Sequence, residues 1–562
     1  MSYSRDSEND LNYNRGTGSY TPNILYGYTN SSIEDIQLYA WECVDSTFLP
    51  EKMIGTIVYT REMPEIGSGI RICSSNGVYT VEGFLQRTGE TTGVSSGLGY
   101  TYTYNRDSSK DTIIQANPPR NLFTDTTTLV SRMMLYDSTG GDSGYEIGQV
   151  VTSSSFRLYN PPHIIKFDSS GATTWYLDSD GDLYGCGDNQ YGQQGISSST
   201  SYVSSFTKRA SNVRDFECTS TSTWYITNED VLYGCGLNDS YQMGNGTTTN
   251  VETFTQIATN VNSVTANPIT TWYITNDHKL YGTGNNNNGQ HSTGGIDAVT
   301  TFTQRASDAS IVKTGNGGVT WYLTTDGRLL GCGGNVQGNQ GDGTGGVTPN
   351  RVTTFTQRAS GVSTFDCTAQ ETWYVTTSGA LYGCGRNNGG QQGISTDTAR
   401  VVYFTQRASN VKSVKCSDTT TWYITNDNKL YGAGLNSKGQ MGNGTTTNVT
   451  AFTQLASNVK EVYPDTYTTW YLTIDGKLYG TGDNSNGNQG SGDTTNVTTF
   501  TQRGTNVKSA VAKCFVINIL NYYFTSWYLN NSNELYGCGD NQFGQQASGD
   551  TTNVTTFTKR AG

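Results

Sequence analysis

Apolar and polar residues alternate in short runs over most of the chain, and the runs recur in a fixed order. In one copy the runs are Val411–Cys416, Thr421–Thr425, Lys429–Gly434 and Phe452–Gln454. Runs of about four to six such residues, rich in Thr, Tyr, Val and Ile and separated by Asn, Asp and Gly, are typical of β-strands joined by tight turns. The runs lack the 3.6-residue period of a helix. Each copy of the pattern therefore predicts four strands.

A Trp-Tyr pair marks the second strand of every copy. The pair occurs eight times, at intervals of 49, 48, 49, 52, 49, 48 and 57 residues. Four strands in one such period are the pattern of a propeller blade. The sequence therefore predicts an all-β fold with a β-propeller of eight four-stranded blades over residues 161–562, and seven blades are the alternative. Because a large ring at the same place in every blade packs best between blades, we predict a repeated core of eight tryptophans: Trp175, Trp224, Trp272, Trp321, Trp373, Trp422, Trp470 and Trp527.

The turn between the second and third strands is rich in Gly and Asn, which tolerate the positive φ that hairpin turns require. In the first copy this turn reads Asp178-Ser-Asp180-Gly-Asp182, which is similar to the start of a calcium-binding loop. The other copies lack these carboxylates, and no Glu follows at the end of the loop. We therefore favour a plain turn over a calcium site, and we predict no bound metal and no cofactor.

The repeated unit resembles the RCC1 repeat of the regulator of chromosome condensation family. In the copy around Trp422, the residues that match the family pattern are Val414, Cys416, Thr421, Ile424, Thr425, Leu430, Tyr431, Gly432, Gly434, Asn436, Gly439, Gln440 and Gly442. The resemblance extends from His163 to the C-terminus. It implies an RCC1-like β-propeller, a fold that usually has seven blades in that family.

Two positions depart from the family pattern. Thr420 stands where the family has a His, and a small residue such as Cys186 or Ala433 stands where the family has a Trp. The Trp of this chain lies in the second strand instead. We interpret the change as a transfer of the bulky ring to another position of the repeat, with the total side-chain volume of the blade unchanged.

The order of the strands leads to a prediction about how the ring closes. The first copy begins with Ile164–Phe167, which matches Val411–Cys416, and the chain ends with Phe557–Gly562. Suppose that each blade began with the Phe-Thr-Gln strand that is counted as the fourth above. The first blade would then lack this strand, and the last such strand in the chain would belong to no blade. Pairing these two would remove exposed sheet edges. We therefore predict that Phe557–Arg560 hydrogen-bonds beside Ile164–Phe167.

The chain is acidic and poor in charged residues. Its 562 residues have a net charge of −12, and only 15% of them are charged. Such a composition disfavours a nucleic-acid partner. An arginine follows several of the fourth strands, and we interpret it as a stem packed on its own blade beside acidic loops rather than as part of a cationic ring. These arginines are Arg305, Arg358, Arg407 and Arg503.

Most of the 11 cysteines occupy two positions of the repeat. The third-strand position holds Cys, Thr or Ala in different copies, which indicates a need for a small side chain. We therefore predict buried free thiols rather than disulfides or a zinc site. The cysteines concerned are Cys186, Cys235, Cys332, Cys384 and Cys538 in the third strand and Cys218, Cys367 and Cys416 in the first.

The first 160 residues lack the repeat and predict a separate region. Residues 1–22 are polar and predict an arm, whereas residues 23–160 predict a β-rich domain for anchoring or assembly, with a boundary at Pro161-Pro162. The start of the chain is polar and acidic, so we expect no signal peptide. No apolar run is long enough to predict a membrane span.

Short patterns within residues 23–160 predict individual elements. Ile70–Cys73 and Val78–Leu85 flank Asn76-Gly77, a strong hairpin signal, and strands are expected at Met53–Thr60 and Tyr100–Tyr104. A short helix is predicted at Thr126–Tyr136. Gly141-Asp142-Ser143-Gly144 resembles the nucleophile motif of chymotrypsin-like proteases. No His precedes it, however, and we favour a loop.

The sequence favours a binding protein over an enzyme. Its three His, which are His163, His278 and His291, do not occupy equivalent repeat positions, and the carboxylates lie mostly in turns. No phosphate-binding loop follows a strand and opens a helix. We therefore predict no catalytic residues and no enzyme activity. Two faces of polar loops on a rigid ring predict a binding platform.

The favoured hypothesis is a bacteriophage virion component, such as a tail, fibre or capsid-decoration protein. Low charge, nearly uniform repeats and a composition rich in Asn, Thr, Gly and Tyr are typical of phage surface proteins by analogy. Expected partners are other virion proteins or a host surface receptor, in a homo-oligomer within a symmetric assembly, and the expected location is the virion, with the cytoplasm as the alternative. The alternative functions are a guanine-nucleotide exchange factor, for which only Lys513–Tyr523 offers room for the family's wedge, and a secreted RCC1-like protein inhibitor.

Overall fold

The computed structural model describes residues 162–315, 318–346, 350–394, 399–518 and 521–562, together with ten strands within residues 22–159. For those ten strands and for residues 514–518 and 521–522 it describes the backbone. The chain divides into two compact units, Met1–Pro161 and Pro162–Gly562. All regular elements of the described residues are β-strands, which confirms the all-β prediction. No helix in this described part has the length and apolar character needed to cross a bilayer.

The described strands of the first unit form two sheets. Its strands are β1 (Pro22–Tyr26), β2 (Ile36–Val44), β3 (Thr47–Tyr59), β4 (Ile66–Ser75), β5 (Val78–Arg87), β6 (Gly93–Gly97), β7 (Tyr100–Tyr104), β8 (Val130–Tyr136), β9 (Tyr145–Glu146) and β10 (Leu158–Tyr159). Eight of them form a sheet in the order β10-β3-β2-β1-β4-β5-β8-β9, and β6 pairs with β7. Residues 1–21, which make up most of the predicted arm, and the motif at 141–144 lie outside the described residues.

The hairpin predicted in this unit is confirmed, whereas the predicted helix is wrong. Ser75 pairs with Val78, so that β4 and β5 are connected by two residues. The strands predicted at Met53–Thr60 and Tyr100–Tyr104 correspond to part of β3 and to β7. The segment Thr126–Tyr136, which was predicted to be a helix, contains strand β8, and β8 runs parallel to β5. A short apolar run does not distinguish a buried strand from a helix by its period, and in the structure this run pairs with β5.

The second unit contains eight antiparallel four-stranded sheets, each built from one continuous segment of chain, which confirms eight blades. Blades 1 to 4 contain β11 (Ile164–Ser169), β12 (Thr173–Asp178), β13 (Leu183–Asp188) and β14 (Tyr202–Ala210); β15 (Val213–Cys218), β16 (Ser222–Thr227), β17 (Leu232–Gly236) and β18 (Val251–Ala258); β19 (Val261–Asn267), β20 (Thr270–Thr275), β21 (Leu280–Gly284) and β22 (Val299–Ala306); and β23 (Ala309–Gly315), β24 (Val319–Thr324), β25 (Leu329–Gly334) and β26 (Arg351–Ala359).

Blades 5 to 8 follow the same order. They contain β27 (Val362–Cys367), β28 (Glu371–Thr376), β29 (Leu381–Arg386) and β30 (Arg400–Ala408); β31 (Val411–Cys416), β32 (Thr420–Thr425), β33 (Leu430–Gly434) and β34 (Val449–Ala456); β35 (Val459–Pro464), β36 (Thr468–Thr473), β37 (Leu478–Gly482) and β38 (Val497–Gly504); and β39 (Val507–Asn518), β40 (Asn521–Asn530), β41 (Leu535–Gly539) and β42 (Val554–Ala561).

The turns between second and third strands explain the Gly and Asn seen in the sequence. Gly181 occupies such a turn with φ of 79°, and Asp230 and Asn428 occupy equivalent turns with φ of 61° and 59°. This left-handed backbone is free for Gly and tolerated by Asn and Asp. Tight turns of this kind allow each blade to form from consecutive strands.

The blades form a closed ring around their first strands. Each first strand contacts the first strands of both neighbouring blades, in the order β11, β15, β19, β23, β27, β31, β35 and β39, and β39 contacts β11. We call the interface between two neighbouring blades a seam. The ring therefore has eight seams, including one between blade 8 and blade 1.

The predicted closure by strand pairing is wrong. β42, which contains Phe557–Arg560, pairs with β41 in its own blade. Ile164–Phe167 pairs with β12 and forms the inner edge of blade 1. The two-residue link Ser211–Asn212 between β14 and β15 crosses from one blade to the next. Since every fourth strand completes its own blade, no strand is left over at the end of the chain.

Side chains close the ring at the seam between blades 8 and 1. Phe206 lies edge-on to Trp527, with ring centroids 6.1 Å apart, much as Phe254 meets Trp175 at 6.3 Å in the next seam. Ile164 packs in the same apolar cluster as Trp527. Of the two residues expected at the closure, Ile164 therefore lies there.

Phe557 lies at a different seam from the one predicted. Its ring meets Trp470 of blade 7, with centroids 5.7 Å apart. A backbone hydrogen bond adds to the closure instead, because Gly549 N of blade 8 donates to Ser204 O of blade 1 at 2.8 Å.

We predict that the Trp and Gly positions of one blade are energetically coupled. A Cβ on Gly432 would lie 2.5 Å from Trp422 Cζ3, so Gly432→Ala should cost about 1–3 kcal/mol by overpacking. Trp422→Ala should cost about 3–5 kcal/mol by loss of packing. In the double variant the alanine methyl enters the space that the ring leaves, and the two costs should fail to add by at least about 1 kcal/mol in urea unfolding. Additive costs would show that the ring does not press on this glycine.

We also predict that the closing seam is as well packed as an ordinary one. Phe206→Ala and its matched control Phe254→Ala should each cost about 3 kcal/mol of unfolding free energy. A cost below about 1 kcal/mol for Phe206→Ala alone, measured under the same conditions, would mean that the ring is open between blades 8 and 1.

Candidate interaction surface

The tryptophans of the repeat are buried in the seams. All eight have exposed fractions of 0–1%. Trp422 pairs across its blade with Gly432 and covers it, while Phe500 of the next blade meets the ring edge-on with centroids 6.1 Å apart. The series therefore packs one blade on the next and does not offer a groove to a ligand.

The position beside the glycine explains the departure from the family pattern. Ala433 is fully buried there, and in other blades this position faces a loop of the preceding blade in the ring. Cys186 Sγ donates to Gln545 O at 3.4 Å, and Thr283 Oγ1 donates to Tyr241 O at 3.0 Å. A side chain as large as Trp would displace that loop.

The cysteines of the repeat are free thiols. The five cysteines of the third strands and Cys218 are buried, as predicted, whereas Cys367 and Cys416 are partly exposed. Burial raises the pKa of the Cys186 and Cys416 thiols. They are therefore protonated packing residues at neutral pH.

A buried asparagine organises each loop between the third and fourth strands. In blade 6, Asn436 Nδ2 donates to Asn443 Oδ1 at 3.1 Å and to the carbonyls of Thr445 and Thr447 at 3.0 Å each. Asn436 Oδ1 accepts from Met441 N at 2.8 Å. The equivalent asparagines are Asn189, Asn238, Asn286, Asn335, Asn387, Asn484 and Asn541, and each is fully buried. One side chain thus holds a loop of about a dozen residues in a single shape.

The same loops hydrogen-bond to the next blade. Gly444 N in the blade 6 loop donates to Thr498 O of blade 7 at 2.8 Å. Asn443 also forms a bridge with Thr499. Equivalent backbone bonds are made by the described loops of blades 2, 3, 4, 7 and 8, and each of these loops therefore joins two blades on its face of the ring.

The outer parts of these loops form a polar surface that we call the loop face. Its repeated element is an exposed segment that contains two or three consecutive threonines, as at 246–250, 444–448, 492–496 and 549–553. The loops are shaped from beneath by buried asparagines while their tips remain in solvent. The arrangement is a preformed surface of hydroxyl, amide and backbone groups.

The inner strands carry charges that differ from blade to blade. Lys166 Nζ lies 2.6 Å from Asp215 Oδ1, and Lys313 Nζ lies 2.7 Å from Asp366 Oδ1, in each case across a seam. Burial raises the pKa of Glu217 to about 8, and Asp168 adds to the shift. The two lysine–aspartate pairs neutralise charges on the inner strands of the ring.

The candidate calcium loop is a turn that binds its own backbone. Asp178 Oδ1 accepts from Asp180 N at 3.1 Å and from Asp182 N at 2.9 Å. Asp182 pairs with Lys208 at 2.6 Å. Within the described residues no group of three or more His, Cys, Asp or Glu is placed to hold a metal ion.

His291 is a core residue. It occupies the position that holds Gln or Met in the other blades. Its ring stacks on Trp272 with centroids 4.7 Å apart, and its two ring nitrogens lack hydrogen-bond partners in the described structure. Burial, with Arg305 nearby, lowers the pKa of His291 to about 3. This imidazole is therefore neutral in the folded protein.

Comparison with known families identifies the repeat. Residues 164–193 match the profile of the regulator of chromosome condensation (RCC1) repeat, and they extend from β11 into the first long loop of blade 1. The propeller is RCC1-like. This match confirms the resemblance for the repeat of blade 1. No curated protein matches the chain.

Three solved structures are similar to parts of this chain. Prp20p from Saccharomyces cerevisiae is 17% identical over 53% of this chain and 80% of its own, with a TM-score of 0.45. Human WBSCR16 is 15% identical over 59% of this chain and 91% of its own, with a TM-score of 0.45. A chain in the structure of Kap60 bound to yeast RCC1 (Prp20) is 15% identical over 66% of this chain and 90% of its own, with a TM-score of 0.48.

We predict that His291→Met removes an acid-sensitive contribution to stability. The folded pKa lies below the unfolded value of 6.5, so the unfolded chain takes up the proton first and stability falls as the pH drops below 6.5. At pH 5 the loss is about 2 kcal/mol for the unsubstituted protein relative to the variant. Thermal unfolding at pH 7.5 and pH 5 measures this difference, and His278→Asn in an exposed turn is the control. An identical pH dependence with and without His291 would contradict the assignment.

Proposed function

We propose that this chain is a non-catalytic binding protein whose loop face holds a protein partner or a receptor. The observation that carries the proposal is the support beneath that face. Buried asparagines such as Asn436 shape the loops, and bonds such as Gly444 N to Thr498 O join them to the next blade. A surface that is ordered before binding loses little conformational entropy when a partner arrives.

We further propose that the protein is a structural component of a bacteriophage virion, such as a tail, fibre or capsid-decoration protein. Low charge and nearly uniform repeats support this by analogy with phage surface proteins. In this proposal the unit Met1–Pro161 anchors the chain to other virion proteins, and the propeller faces a neighbour or the host. The expected location is the virion.

The experiment compares equal changes of charge on the two faces of the ring. One variant carries arginines at exposed loop-face positions, namely Thr248→Arg, Thr446→Arg, Thr494→Arg and Thr551→Arg. The matched control carries arginines at exposed turns between blades, namely Ser211→Arg, Thr259→Arg, Ser307→Arg and Ser409→Arg. Particles that carry the first variant should attach to host cells at least tenfold more weakly than those that carry the control.

Two results would contradict the proposal. The first is the absence of the chain from purified particles in mass spectrometry, which would show that it is not a virion component. Equal attachment by the two variants would show that the loop face is not the binding surface. Neighbouring genes for portal, tail or capsid proteins would support the virion role, and an isolated cellular gene would count against it.

One observation favours a second candidate, guanine-nucleotide exchange. The first two strands of blade 8, β39 and β40, have 12 and 10 residues, whereas those of blade 6 have 6 each. This longer hairpin contains most of Lys513–Tyr523, where the RCC1 family's wedge was expected to fit. Accelerated nucleotide release from a small GTPase by the purified chain would favour this candidate over the first.

A further inference from the structure

The lysines of the propeller divide into those that form ion pairs and those that do not. Eight of them pair with a carboxylate: Lys166, Lys208, Lys279, Lys313, Lys429, Lys438, Lys477 and Lys559. Within the described residues the other five form no ion pair, and all five lie on the first strands of the consecutive blades 6, 7 and 8. They are Lys412 and Lys415 in β31, Lys460 in β35, and Lys508 and Lys513 in β39. The unpaired lysines are therefore concentrated on one part of the inner wall of the ring.

Three of these lysines occupy the same position of the repeat, the second residue of the first strand. We call Lys412, Lys460 and Lys508 the lysine arc. The residue before each of them is bonded to a turn of the preceding blade; Val459 N, for example, donates to Asn428 O at 2.9 Å. The arc therefore lies beside the turns between second and third strands, on the opposite side of the ring from the loop face. All three side chains are exposed.

The equivalent position of the other blades carries no unpaired charge in the described structure. Blade 2 has Arg214 there, and its Nη2 pairs with Asp230 Oδ1 at 2.8 Å. In the arc the ammonium groups meet uncharged oxygens instead, because Lys460 Nζ donates to Lys508 O at 3.3 Å and Lys508 Nζ donates to Asn533 Oδ1 at 3.2 Å. The remaining blades have Ile165, Asn262, Ser310 and Ser363 at this position.

Carboxylates near the channel compensate the deeper lysines rather than the arc. Lys415 interacts electrostatically with Asp366, and Lys513 interacts with Asp465. Glu461 is the single acidic residue of β31, β35 and β39, and it forms no ion pair with any described lysine or arginine. The arc therefore holds three neighbouring positive charges for which the described chain provides no counter-charge.

We propose that the lysine arc binds an acidic segment of a polypeptide partner. Side chains on one face of an extended chain recur about every 6.6 Å. The first strands that carry the arc approach their neighbours to within 8 Å between Cα atoms. Carboxylates at alternate residues of an extended segment can therefore reach successive lysines and form charge-assisted hydrogen bonds with them.

Two features favour a polypeptide over a nucleic acid as the partner. The net charge of −12 repels a long polyanion, whereas a short run of carboxylates keeps its charge beside the arc. Ile165 follows the arc in blade 1, where β11 contacts β39, and it is 47% exposed. It offers an apolar contact to a side chain that lies next to the carboxylates. The expected segment therefore combines acidic residues at alternate positions with an apolar residue.

The probe is a fluorescent peptide that has three aspartates at alternate positions followed by an isoleucine. It is titrated with the purified full chain at low salt, where exposed charges are least screened. The triple variant Lys412→Ser, Lys460→Ser, Lys508→Ser introduces the residue found at this position in blades 4 and 5. It should bind the peptide at least about tenfold more weakly than the unsubstituted chain, because three charge-assisted contacts are lost.

The matched control removes the same charge from the same side of the ring. It is the triple variant Lys279→Ser, Lys429→Ser, Lys477→Ser, in which each lysine is paired with an aspartate of its own turn. Its affinity for the peptide should fall less than about twofold, because these exposed pairs are already neutral. Ile165→Ser should weaken binding of the peptide and leave unchanged the binding of a peptide that has serine in place of isoleucine.

Several results would overturn this inference. They are absence of peptide binding, equal losses in the two triple variants, and equal affinity for a peptide with asparagines in place of the aspartates. Tighter binding of a single-stranded oligonucleotide of the same charge would overturn it in favour of a nucleic acid. If the first triple variant fails to fold, Lys460→Ser against Lys429→Ser makes the same comparison with one exposed residue each.

The inference goes beyond the loop face and does not depend on the virion proposal. Presence of the chain in purified particles together with absence of peptide binding would overturn the inference and leave the virion proposal standing. Peptide binding by a chain that is absent from particles would support the inference and contradict the virion proposal.

Discussion

The packing of a tryptophan ring between a glycine of its own blade and a phenylalanine of the next is the contact on which the propeller depends. Each blade is one continuous segment, so no shared strand ties the last blade to the first. Trp422 with Gly432 and Phe500 shows the arrangement, and Trp527 with Phe206 repeats it where the ring closes. Because every seam has to hold by such packing, the sequence must repeat Trp, Gly and Phe in every blade.

The repeat makes the blades predictable and their boundaries ambiguous. The strands, their number in each blade and the eight copies could be predicted because the pattern recurs at nearly constant intervals. A repeat of this length is typical of only a few fold types. A periodic sequence looks the same wherever the unit is taken to begin, however. That is why Phe557–Arg560 could be assigned to blade 1, although it completes blade 8. Only three-dimensional contacts decide between these two equivalent divisions of the chain.

Some parts of the candidate site could have been found by comparing the copies with one another. Polar loops were expected, but the role of Asn436 was missed because Asn is common throughout these loops. Its fixed place just after each third strand distinguishes it from the other asparagines. The region Thr126–Tyr136 had no second copy for comparison, and its strand β8 was predicted as a helix.

Equal seams give this fold room for exceptions. When stability is shared among similar neighbouring contacts, each repeat adds its own part, and one altered seam leaves the other seven in place. The first two strands of blade 8, β39 and β40, are longer than those of the other described blades. This extension is not needed to build a blade, because blade 6 lacks it. Differences between otherwise similar blades are therefore where a function of this ring is best sought, whereas the repeated residues mainly report how the ring is held together.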